Sequence, residues 1–210
     1  MPDTNTPEMF NELLGSVQVF SSAMRDVLEE KLLRETARGR LTFSRLKLLK
    51  LVALTDSHTI GEVAAFLGVS NTAAGKAVDK LVRRRLLRRT EAQDDRRASE
   101  LSLTGEGRRL LSAYEAARDK KLTEIFSTSV PEQLSKTAAT LDRLTANIVD
   151  PTANPQELCL QCGIYFREKC RLRELVPLTC FYQKYKARKA AGSGVERAGG
   201  AETHVHPPAP

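Results

Sequence analysis

The chain has no tryptophan, few aromatics of any kind, and no apolar run that approaches membrane-spanning length. Aromatics make up 5% of its 210 residues while hydrophobic residues make up 41%. A core so poor in rings is built from Leu, Ala and Val, which suits helix packing better than a β-sandwich. The N-terminus, MPDTNTPEMF, lacks the basic and apolar regions of a signal peptide, so a cytoplasmic location without a membrane partner is the expectation. A phosphate-binding glycine loop, a nucleophile elbow and a His-Glu-x-x-His pattern are also missing, and nothing points to an enzyme. His58 falls at an expected turn and reads as a polar loop residue, not a catalytic base. Cysteine is absent before Cys159 and after Cys180, yet four cysteines lie between those limits.

What is abundant is positive charge. A formal net charge of +7 and a pI near 9.4 favour polyanionic partners, nucleic acid first. Residues 7–36 read as one amphipathic helix, with Phe10, Leu13, Leu14, Val17, Phe20, Met24, Val27 and Leu28 on one face. A stripe of that length on a terminal helix must bury against the rest of the chain or against a second copy. Three helices follow: one over 43–54, one opened by the capping box Thr59-Ile60-Gly61-Glu62, and one capped by Ser70 and running to about Arg84. Gly68-Val69 between the last two makes a tight turn, so the pair reads as a helix-turn-helix.

Beyond Arg84 the period changes from helical to alternating. Leu87–Thr90 and the run around Leu101 and Leu103 predict two strands joined by the polar loop EAQDDRRAS. Thr104 then opens a long helix and Pro131 another, the latter striped by Leu134, Ala138, Leu141, Leu144 and Ile148. Asp150–Pro155 is a linker by composition, the cysteine segment follows to about Lys189, and the Gly-, Ala- and Pro-rich remainder is expected to be disordered. Three regions result: a DNA-binding and dimerisation domain over 1–150, a metal-binding segment over 151–189, and a tail over 190–210.

A helix that enters the major groove needs small or polar residues outward near its N-terminus and apolar ones behind. Ser70, Asn71, Thr72, Gly75 and Lys76 face one way and Ala74, Ala77, Val78 and Leu81 the other, while Lys80 and Arg88 are placed to meet phosphates. Asn reads adenine in bidentate fashion, and Thr contacts base edges or backbone. Arg96 and Arg97 at the hairpin tip suit the minor groove, with Asp95 beside them to orient a guanidinium.

Gly68-Val69-Ser70, the helix ending near Leu81, Asp95-Arg96-Arg97, Leu103-Thr104 and Gly107 together resemble the MarR family of bacterial regulators over about residues 8–149. The resemblance implies a mainly α (α+β) winged helix-turn-helix with a two-stranded β-wing and long helices that form a dimerisation region. It further implies a homodimer on double-stranded DNA, with the Ser70–Arg84 helix of each copy in the major groove, Arg96 or Arg97 in the minor groove, and Asp95 bracing the wing. Two positions depart from the family pattern: Arg85 stands where a Gly usually precedes the first wing strand, and Ala74 and Ala77 are smaller than usual. Members often bind small aromatic effectors, but no residue here singles out such a pocket.

Cys159, Cys162, Cys170 and Cys180 form a C-x2-C-x7-C-x9-C array, with Gly163 after the first pair. Four thiolates complete either a tetrahedral zinc site or an iron–sulfur cluster, of the 4Fe–4S kind. Lys169, Arg171 and Arg173 offset their charge. The wide second spacing tilts the expectation toward the cluster. The expected function is therefore regulated DNA binding, repression foremost, with redox or metal sensing through the cysteines. The alternative is an iron–sulfur or zinc protein that uses its winged helix as a protein-interaction module.

Overall fold

The structure, a computed structural model, describes residues 6–39, 41–54, 57–91, 99–149, 162, 164–175 and 180–195. Helix α1 (Thr6–Met24), a π-helical segment (Arg25–Lys31) and α2 (Leu32–Ala37) form one continuous helical rod. The expected single helix over 7–36 is thus present, but with a wider turn inside it. The Leu32 N–H bonds back five residues to the Val27 carbonyl, which inserts one residue into the helical phase. Burial accordingly steps from Leu28 to Leu33 and Ala37. The phenol of Tyr114, from the other side of the fold, donates to the Leu28 carbonyl at 2.9 Å. Tyr114 is fully buried, and that burial pushes its phenol pKa up to about 12.

The reading unit comprises α3 (Phe43–Leu54), β1 (Ser57–His58), α4 (Ile60–Leu67), α5 (Asn71–Arg83), β2 (Leu87–Glu91) and β3 (Ser99–Leu103). Both hydrogen bonds of the capping box form: the Thr59 N–H to Glu62 and the Glu62 N–H to Thr59, each 3.1 Å. Gly68 ends α4 in the left-handed region at φ 65°, which only glycine enters without a Cβ penalty. Strands β2 and β3 pair antiparallel from Leu87 opposite Leu103 to Glu91 opposite Ser99, so the wing hairpin has the expected two strands. A third, two-residue strand, β1, adds to the other edge of β3 through Ser57 and His58. This corrects the reading of His58 as a polar loop residue: it is 1% exposed. No local signal marks it, because the ring covering it comes from the far C-terminus.

Arg85 adopts φ 57°, a conformation that costs a residue with a Cβ about 1–2 kcal/mol. That is why glycine is usual before the first wing strand and why the departure at Arg85 carries strain. Long helix α6 (Gly105–Phe126) is capped by Thr104, whose hydroxyl accepts from the Gly107 N–H at 3.0 Å. Helix α7 (Pro131–Ile148) follows.

One core unites these parts. It runs from Leu33 through α3, α4, α5 and the sheet to Leu111 and Tyr114, and it also takes in Ile164, Phe181 and Tyr185. The described parts of the cysteine segment therefore share the core of the winged helix. These parts, which include the short α8 (Leu172–Leu175) and α9 (Phe181–Val195), lie on the winged helix and on α7. Helix α9 reaches into the region expected to be a tail: residues 190–195 are helical. The Gly/Ala/Pro count hid the fact that Lys-Ala-Arg-Lys-Ala-Ala is a run of good helix formers. Residues 150–161, with the linker, and 196–210 lie outside the described residues.

Left outside the core are α1 and most of α7. Phe10, Leu13, Leu14, Val17 and Phe20 of α1 and Leu134, Leu141 and Ile148 of α7 are all exposed in the single chain. No helix among the described residues is long and apolar enough to cross a membrane.

Candidate functional site

The Ser70 hydroxyl accepts from the Ala73 N–H at 3.3 Å and fixes the start of α5. Ala74, Val78 and Leu81 anchor the helix with zero exposure. That anchoring leaves Ser70, Asn71, Thr72, Lys76 and Lys80 exposed and Gly75 half-buried. A Cβ built on Gly75 meets nothing within 4 Å, so its bareness serves no contact inside the protein. The departure at Ala74 is tolerated because its small side chain lies fully buried where α5 packs on α4. Helix α5 also packs beside β2, where Arg88 is exposed and Arg89 approaches Asp79 at 3.7 Å. Ser70 at the cap of α5, five expected contact residues on the helix and one on the wing thus share this side of the reading unit. Asp95, Arg96 and Arg97 lie outside the described residues.

Three of the four cysteines are described: Cys162, Cys170 and Cys180, each half-buried. Cys159 and Gly163 lie outside the described residues. Burial pushes the Cys162 thiol above its ordinary value, and both Cys170 and Cys180 are near enough to push it further. The backbone N–H groups of Arg167 and Phe166 donate toward that sulfur. The soft donors, N–H groups aimed at sulfur and nearby cations suit a thiolate-bound metal. Among the described residues, however, no group of three or more potential ligands stands in metal-holding arrangement. Cys162 also lines a cleft of about 380 Å³ between the π-helical segment and α3, beside Arg25, Glu29, Lys47 and Tyr165.

The most specific polar contact of this segment was not legible in the sequence. Arg167 grips Asp142 of α7 through two bonds, at 2.6 and 2.7 Å. Asp142 is 5% exposed, and the pairing raises the Arg167 guanidinium above its ordinary value. At the other end, Arg188 of α9 bonds to Glu62 at 2.8 Å. Burial pushes the Glu62 carboxyl up, but the bonds from Arg188 and the Thr59 N–H outweigh it and hold the group below its usual range. The single sequence-level hint was Asp142, a charge between Leu141 and Leu144 on a helix flank otherwise read as apolar.

Residues 41–98 match the family model described as MarR family. Among solved structures the chain resembles a MarR family transcription regulator, SP03579, at 21% identity, covering 70% of this chain and 97% of that one with a TM-score of 0.59. It likewise resembles RV1404 from Mycobacterium tuberculosis, at 20% identity, 68% and 97% coverage and a TM-score of 0.54. A point mutant of MepR from S. aureus matches at 19% identity, 63% and 96% coverage and a TM-score of 0.53. No curated protein matches in sequence. The relatives are covered almost whole, whereas roughly a third of this chain has no counterpart in them. The fold is that of the MarR winged-helix structures, among them the transcription regulator SP03579.

Proposed function

We propose that this protein is a homodimeric, MarR-type transcription regulator that binds double-stranded DNA and represses transcription, with its four cysteines holding zinc or an iron–sulfur cluster. The observation that supports DNA binding above all is the face of α5. It is capped at Ser70, anchored by buried Ala74, Val78 and Leu81, and exposes Asn71, Thr72, Lys76 and Lys80 around an unobstructed Gly75. Asn71 and Thr72 read base edges. Lys76, Lys80 and Arg88 meet phosphates, and Arg96 and Arg97 reach the minor groove with Asp95 as brace. Gly75 lets the backbone approach the duplex.

Selection of bound duplexes from a random pool tests this reading. Replacing Asn71 or Thr72 by Ala is expected to change sequence preference by about 1–3 kcal/mol per lost base contact. Gly75→Ala is expected to keep or raise thermal stability, since helix propensity improves by about 0.5–1 kcal/mol, while DNA affinity falls. Unchanged preference in all three variants would remove α5 as the reading head. Binding insensitive to salt would instead favour a protein-interaction module.

The metal reading rests on the spacing of the cysteine array, Cys159, Cys162, Cys170 and Cys180. Metal binding displaces thiol protons and needs every ligand of the set at once. Loss of any one ligand should then lower metal content. Cys162→Ser and Cys180→Ser are both expected to reduce metal per chain in protein purified without oxygen. A brown absorbance that bleaches in air identifies a cluster; a colourless, chelator-labile metal identifies zinc. Full metal content in both variants would exclude a shared site.

A further inference from the structure

The positive charge of this chain is concentrated near its C-terminus. Residues 164–175 and 180–189 hold eight Lys or Arg against two Glu, which accounts for most of the formal net charge of +7. Helix α9 seats part of that charge on the reading unit. Its inner stripe, Phe181 and Tyr185, is buried, and Tyr185 meets the His58 ring edge-on at 5.1 Å. His58 belongs to β1, which pairs Ser57 with Glu100 and His58 with Ser99. Ser99 lies at the end of the wing hairpin away from its Leu87–Leu103 base. Helix α9 is thus fastened at the outer end of the wing sheet and not at its base.

The two flanks of α9 are occupied differently. On one, Lys186 bonds both oxygens of Glu168 at 2.8 and 2.9 Å, and Tyr182 stacks on Phe166. On the other, Lys184 and Arg188, one turn apart, flank Glu62 in the first turn of α4. Arg188 bonds to that carboxylate at 2.8 Å, while Lys184 stands at 3.9 Å. Glu62 is the only charged residue of α4, and α4 packs on the reading helix α5. In a helix-turn-helix the second helix reads the groove while the first crosses the sugar–phosphate backbone. A lone carboxylate on that first helix repels the duplex; two cations set against it reverse the sign. Because Arg188 already satisfies the carboxylate, the exposed Lys184 keeps its ammonium available to a phosphate.

We propose that α9 is a second contact to the DNA backbone, in which Lys184 meets a phosphate where α4 crosses the duplex. This rests on the DNA-binding reading above and extends the footprint beyond residues 8–149, which carry the family resemblance. An ammonium on a flexible stem is a point charge that takes any phosphate oxygen, so the contact holds no sequence information. It adds affinity for every duplex and leaves sequence preference to Asn71 and Thr72.

The test titrates the full chain against its selected operator and against a scrambled duplex of equal length, at about 50 to 200 mM salt. Lys184→Gln is expected to weaken binding to both duplexes by the same factor and to lower the salt slope by about 1 for each copy bound. Lys184 is exposed, so this variant is expected to melt at the wild-type temperature. Lys184→Arg keeps the charge and is expected to keep the wild-type slope. Lys120→Gln removes the same charge from the exposed surface of α6 and is expected to leave the slope unchanged. A wild-type slope in Lys184→Gln, or an equal loss of slope in Lys120→Gln, overturns the proposal and leaves α5 as the reading head. A changed preference between the two duplexes in Lys184→Gln overturns it as well. A wild type that binds neither duplex instead overturns the DNA-binding reading itself and the proposal with it.

Discussion

Gly107→Ala is expected to be the most damaging glycine-to-alanine change among the glycines at positions 15, 39, 61, 68, 75, 105 and 107. A Cβ at this position would lie 2.1 Å from the carbonyl oxygen of Leu86, well inside van der Waals contact, and the obstacle is backbone. The neighbourhood cannot yield easily. The Thr104 N–H donates to that same carbonyl at 3.1 Å, the Gly107 N–H donates to the Thr104 hydroxyl at 3.0 Å, and Leu86 is buried beside strained Arg85. Relieving the overlap means breaking the junction of α5, β2 and α6. Overpacking of this severity costs about 3 kcal/mol, which lowers the melting temperature by roughly 6–12 °C for a chain of this size. Gly105→Ala is the control. It stands two residues earlier on the same helix, and its Cβ would meet only the flexible tip of Arg109 at 3.6 Å. Equal melting temperatures for the two variants would show that the close approach of Gly107 to Leu86 is not real.

Leu14→Glu combined with Phe20→Glu is expected to leave each chain folded and to abolish the dimer. Both side chains are more than half exposed in the single chain, at 58% and 56%, so charging them removes nothing from the core. They lie on the exposed apolar stripe of α1, and Leu134, Leu141 and Ile148 of α7 are exposed as well; clustered apolar exposure of this kind marks interaction surfaces. Two glutamates per copy facing their own images would be desolvated without partners, and association would fail. With one reading head per molecule, affinity for a two-half-site operator should fall by about 10²–10⁴-fold, the usual gain from linking two binding modules. Sedimentation, circular dichroism and duplex titration check the three parts. A variant that remains dimeric would place the interface elsewhere.

Much of the winged helix was legible because its signals are local. Thr59 with Glu62, Ser70, Thr104 and Pro131 each announce a helix start within four residues, and the structure places a helix after every one. The alternation of Leu101 and Leu103 with polar neighbours similarly foretold β3. The face of α5 followed from helical geometry alone, since Ala74, Val78 and Leu81 had to turn inward if Asn71, Thr72 and Lys76 were to turn out. Less legible was the fate of the C-terminus. A composition poor in large apolar residues suggested a tail, yet Phe181 and Tyr185 suffice to seat α9 and carry helix to Val195.

The sequence by itself determined the helix-turn-helix, the wing, the stripes on α1 and α7, and the cysteine spacing. Each of these is written in residues a few positions apart, and backbone geometry does the rest. Only the tertiary structure decided the contacts that make one object of these parts. Tyr114 meets the π-helical segment across 86 positions, Arg188 meets Glu62 across 126, and Tyr165 meets Glu29 across 136. The burial of His58 and the left-handed turn at Arg85 are of the same kind. No period or cap encodes such pairings. They exist because a buried polar group must find a partner wherever the packed chain happens to supply one.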